Sequence, residues 1–190
     1  MAGLVEKAKE LMRQQTEKNR SPAWLLTEMA VEKGRQLARK HGADERLVVA
    51  SLYLAHTIFD QKFMGEVQKK HTKLSAEFVR KHLDEWNVAE DDKKSILNSI
   101  RAHHNHVPTE SLEAEVMKNA ECFKFVTLKG SIIFLHECGM RGDDFETAVE
   151  HVLKKMGQKR KLLTLPDCID EADENIKVIK EFFSKLTNDG

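Results

Sequence analysis

The chain is poor in residues that interrupt regular structure, with nine Gly and three Pro among 190 residues. That excludes a collagen-like or low-complexity polymer, and a hydrophobic share of 41% excludes a chain too polar to bury a core. Net charge is also missing: 31 Lys and Arg offset 31 Asp and Glu, and residues 1–100 carry +3 against −3 for residues 101–190. No basic field for nucleic acid arises from this balance. The apolar runs, such as Leu47 to Ala55 and Ser131 to Leu135, fall well short of the ~20 residues that span a bilayer. The segment Met1 to Arg20 has no apolar stretch of the kind a secretory leader needs, so a cytoplasmic protein is expected. Three cysteines, Cys122, Cys138 and Cys168, are odd in number and widely spaced, which fits reduced, buried thiols rather than a disulfide framework or a thiolate zinc site.

What remains is rich in helix formers with apolar residues three and four apart. The periodicity predicts helices over 2–18, 22–41, 44–60, 66–85, 90–105, 110–127, 129–138, 143–156 and 166–186, and no strand. Prolines 22, 108 and 166 fall at boundaries, where a missing N–H costs little. Gly42 suits a helix end and Ala43-Asp44 a restart. Gly139 to Asp143 reads as a surface loop, and Lys159-Arg160-Lys161 as a solvated basic loop. No repeat or linker divides the chain, so the expected fold is all-α: a single compact helical domain over 1–190, with an N-terminal helix to residue 20, a core at 22–127 and closing helices at 128–190.

Nine histidines stand out. His56 ends a segment that is apolar nearly all round and should approach the interior. His71 shares a helix face with Leu74, Ser75 and Phe78, and His104 continues the stripe of Ile96 and Ile100, with His103 flanking it. One inward imidazole from each of three successive helices fits either a divalent-metal site or three separately satisfied core histidines. Cys122 and Cys138, set among Phe123, Phe125, Ile132 and Phe134, read as ordinary core. No Gly-rich phosphate loop and no Gly-x-Ser-x-Gly elbow occurs.

Ordered across Trp24 to Phe125 are the pieces Leu37-Ala38-Arg39-Lys40-His41-Gly42-Ala43-Asp44, Ala50-Ser51-Leu52-Tyr53-Leu54-Ala55-His56-Thr57-Ile58, His71-Thr72-Lys73-Leu74-Ser75-Ala76-Glu77, Ile100-Arg101-Ala102-His103-His104 and Glu113-Ala114-Glu115-Val116-Met117-Lys118-Asn119-Ala120-Glu121. Together they resemble the HD-domain superfamily, the all-helical metal-dependent phosphohydrolases. That resemblance implies an HD-type bundle and a divalent cation (Mn, Mg, Fe, Ni or Zn), held where His56 matches the family's His-Asp doublet and His71 with His104, or His103, match two additional histidines.

The departures are specific. Thr57 stands where the doublet has Asp, Asn119 where a later Asp is expected, and Thr27 or Glu28 falls where the family has its first His. Carboxylates lend the charge that holds a cation and lowers the pKa of bound water, so their loss weakens both. Glu28 and Asp60 are candidate substitute ligands, with Asn119 in the third place. Arg101 and Lys62 are candidate contacts for a substrate phosphate. Two functions follow from the resemblance: a degenerate HD protein whose catalysis is weakened or abolished and which binds a ligand or another protein, a homodimer being one option, or an active phosphohydrolase on a small phosphoester or nucleotide with a non-standard ligand set. Neither implies a nucleic-acid or membrane partner.

Overall fold

A computed structural model describes residues 3–19, 23–58, 66–104 and 107–188. Among these residues all regular structure is helical: α1 (Leu4–Asn19), α2 (Trp24–His41), α3 (Glu45–Leu54), α4 (Glu66–Glu85), α5 (Glu90–Ala102), α6 (Leu112–Phe123), α7 (Leu128–Met140), α8 (Phe145–Arg160) and α9 (Pro166–Asn188), with a 3₁₀ turn at Lys124–Val126. The all-α expectation holds. The chain divides into two compact units, Met1–Glu121 and Cys122–Gly190.

In the first unit the organising element is α3, in which every residue from Leu47 to Leu54 is buried. Its start is fixed by Asp44, whose carboxylate accepts from the N–H groups of Arg46 and Leu47, a cap worth about 1 kcal/mol. Just upstream, Gly42 takes φ +78° and donates to Ala38 O, ending α2 where the sequence places the break. Against α3 lie α1, α2 and α5, and α4 lies against α5. The buried stripe of α4 runs through His71, Ser75, Val79 and Leu83, each four residues on. That period puts a histidine on the core face.

Two of the helix ends that differ from the periodic reading shape the site. α3 stops at Leu54 rather than 60: the Thr57 hydroxyl donates to Leu54 O, and Ile58 N–H donates to Ser75 Oγ on α4. Local side-chain bonds of this kind compete with the helical ladder. Likewise α5 stops at Ala102 rather than 105, with His103 as its cap residue.

In the second unit, Thr127 caps α7 and Asp144 caps α8 through bonds to Gly130 N and Thr147 N. The basic tract expected as a solvated loop is corrected: Lys159 and Arg160 form the last turn of α8, Lys159 is 2% exposed, and Arg160 holds Asp173 through two bonds of 2.6 and 2.7 Å. The apolar stripe Val149, Val152, Met156 continues one more turn onto Lys159, whose stem packs while its ammonium lies 5.5 Å from the Phe125 ring. No helix among the described residues is long and apolar enough to cross a membrane. All three cysteines are buried and reduced.

Candidate metal centre

The early ends of α3 and α5 turn two imidazoles onto the core face of α4. His56 follows the last turn of α3, His71 lies in the second turn of α4, and His103 caps α5. Their ring centroids are separated by 5.3 Å (56 to 71), 5.0 Å (56 to 103) and 5.4 Å (71 to 103). One ring nitrogen from each lies within 4.8 Å of the other two. His56, His71 and His103 are 9%, 4% and 0% exposed.

At α5 the sequence leaves two candidates open. The spacing Ile96, Ile100, His104 points His104 inward, yet the helix ends at Ala102 and the next residue, His103, is the one fully buried. His104 is half-buried, its ring 5.0 Å from His71 and 4.3 Å from His103, outside the group of ligand atoms. His103 Nδ1 lies 2.7 Å from Ile100 O. A carbonyl can only accept, so that nitrogen carries the proton and Nε2 presents a lone pair toward His71 Nε2, 3.4 Å away. A backbone partner of this sort fixes the tautomer of a metal-binding imidazole.

A carboxylate stands behind one imidazole of the group, and sequence reasoning missed it. Glu121 on α6 is 2% exposed, and its Oε1 lies 2.9 Å from His56 Nε2. Its signal was present in the sequence: an acidic residue set between Ala120 and Cys122 at the end of an apolar face. Three imidazoles, one of them backed by a buried carboxylate, make a nitrogen donor set suited to Zn, Fe, Mn or Ni.

The other candidates are placed elsewhere or spent. Thr57 is fully buried and its hydroxyl is used on Leu54 O. Asn119 is equally buried and its amide donates to Glu115 O at 2.9 Å. Glu28 is corrected as a substitute ligand: it accepts from the Tyr53 hydroxyl at 3.0 Å and pairs with Lys9 at 3.4 Å, outside the imidazole group. Burial and that carboxylate together push the Tyr53 phenol well above its ordinary range. Arg101 lines a groove with Arg80, Lys94, Asn98 and Glu110. Asp60 and Lys62 lie outside the described residues.

Against this geometry stand the known proteins. The HD domain family matches residues 23–125, the span that contains all four groups of the centre. Among solved structures, *Bacillus subtilis* YpgQ superposes with a TM-score of 0.73 at 16% identity, covering 98% of this chain and 95% of that one. A *Lactobacillus plantarum* protein gives 0.71 at 18%, covering 98% and 96%. An HD-superfamily hydrolase from *Bacillus thuringiensis* gives 0.68 at 15%, covering 97% and 95%. No curated protein sequence matches the chain.

Proposed function

The chain belongs to the HD domain family, and on that premise we propose that His56, His71 and His103, with Glu121 behind His56, hold a divalent cation beside a site for a small phosphorylated ligand, with hydrolysis weakened or abolished at position 57. The observation that carries this reading is Thr57: a neutral hydroxyl, fully buried and committed to Leu54 O, stands where the family's doublet has a carboxylate. A cation in this pocket would supply a Lewis acid and lower the pKa of its bound water. The residues present do the holding. His103 is locked by Ile100 O, His56 is backed by Glu121, and His71 is presented from the rigid stripe of α4. Among the described residues, Thr57 brings no anionic group that would orient and deprotonate a water.

Arg101 shares its groove with Arg80 and Lys94, set against Glu90 and Glu110, and its guanidinium is the group there suited to a phosphate. A structure of *B. subtilis* YpgQ holds ADP, and a nucleotide-sized phosphoester is the class we propose here.

The test is a gain of function. With Mn²⁺ present and p-nitrophenyl phosphate esters and nucleotides as substrates, wild type should stay near background. Thr57→Asp should raise turnover at least about tenfold, the worth of roughly 1.4 kcal/mol of barrier. Wild-type turnover that Thr57→Asp does not improve would overturn the reading.

A further inference from the structure

A second group of ligating side chains lies in the unit Cys122–Gly190 and belongs to nothing described above. Cys138 sits in the last turns of α7, Asp143 in the connection to α8, and His151 in the second turn of α8. One ligand atom from each lies within 4.8 Å of the other two. His151 Nδ1 is 3.0 Å from Asp143 Oδ2.

The backbone builds this arrangement. Arg141 N–H and Asp143 N–H both donate to Cys138 O, at 3.0 and 3.2 Å, and Gly142 between them takes φ +99°. That left-handed residue folds Asp143 back over the end of α7. The Cys138 sulfur is fully enclosed while His151 is exposed, so the group opens to solvent on one side only.

From this geometry we infer that Cys138, Asp143 and His151 form a binding site for a borderline-soft divalent cation, Zn²⁺ by preference, that clasps α7 to α8. Thiolate, carboxylate and neutral imidazole are three of the ligand types zinc selects, and the charge of the first two cancels that of the cation. Ligand atoms in tetrahedral zinc sites stand roughly 3.3–3.6 Å apart, so the three atoms need only small adjustments, and solvent occupies the fourth position. Arg141 Nη2 donates to Cys138 Sγ at 3.0 Å with its guanidinium over the Phe134 ring. An N–H···S bond persists on a metal-bound thiolate and supports it from behind. A thiol ligates as its thiolate, so the cation displaces a proton as it enters.

Cobalt distinguishes this site from the imidazole centre, because only a cysteine ligand produces sulfur-to-cobalt charge-transfer absorption. Titration of the full chain with Co²⁺ should develop that band to one equivalent, and Zn²⁺ should bleach it. Cys138→Ser should abolish the band, and His151→Gln, a surface change that leaves the fold intact, should weaken Co²⁺ binding by at least about tenfold. His71→Ala should leave it in place. A wild-type protein without the band, or a band that survives Cys138→Ser, would overturn the inference.

Discussion

The imidazole centre and the Cys138 group solve the same problem in opposite ways. The first draws His56, His71, His103 and Glu121 from four places spread over 66 residues of sequence and seals them in the core. The second takes its three ligands from 14 consecutive residues and leaves one at the surface. A centre made of distant residues depends on the whole first unit being folded, and its hydrogen bonds are protected from water. A local one depends on a single turn, so its geometry is set by the backbone between Cys138 and Asp143.

The sharpest way to break this contrast is at Glu121. If the buried carboxylate orients His56 and supplies the centre's charge, Glu121→Gln should weaken cation binding there by about 10- to 100-fold while leaving cobalt binding at Cys138 unchanged. Equal weakening at both sites, measured by metal titration, would mean that a general loss of fold was read out.

A smaller effect is expected at Gly142. Nothing lies within 4 Å of an added Cβ, so Gly142→Ala meets no clash, and its cost is the left-handed backbone alone, about 1 kcal/mol. The thermal melt should shift down slightly and the Co²⁺ affinity at Cys138 should fall with it. The imidazole centre should not respond.

The smallest effect concerns acid stability. Hydrogen bonds from Arg39 and Arg35 hold the Glu45 carboxyl below its ordinary value, and Arg160 does the same for Asp173 in the second unit. A lowered folded-state pKa contributes stability that is present above the unfolded value and is lost as pH falls through the folded one. Melts of Glu45→Gln against wild type should therefore differ near neutrality and converge in acid. Both pairs are surface-exposed, so salt should shrink the difference.

How much of this could be read from the sequence follows the same division between local and distant. Asp44 and Gly42 were legible, because a cap and a left-handed stop act on their immediate neighbours. The inward faces of His56 and His71 were legible from apolar periodicity. Periodicity left the choice between His103 and His104 open, because it assumes the helix continues, whereas α5 ends one residue before His103 and a three-residue offset from Ile100 replaces the four-residue one. Glu121 was not legible as a partner of His56, since nothing local announces a contact across 65 residues. Cys138 read as core from its aromatic neighbours, and it is indeed buried, yet the turn that brings Asp143 and His151 to it depends on Gly142, whose role appears only in three dimensions.

The account rests on the buried imidazoles gripping a cation, and Mn²⁺ reads that directly because a hard ion has little affinity for the cysteine group. Electron paramagnetic titration of wild type and of a variant carrying His56→Ala, His71→Ala and His103→Ala should show one bound Mn²⁺ in the first and none in the second. Bound Mn²⁺ at the same stoichiometry in both proteins would contradict it.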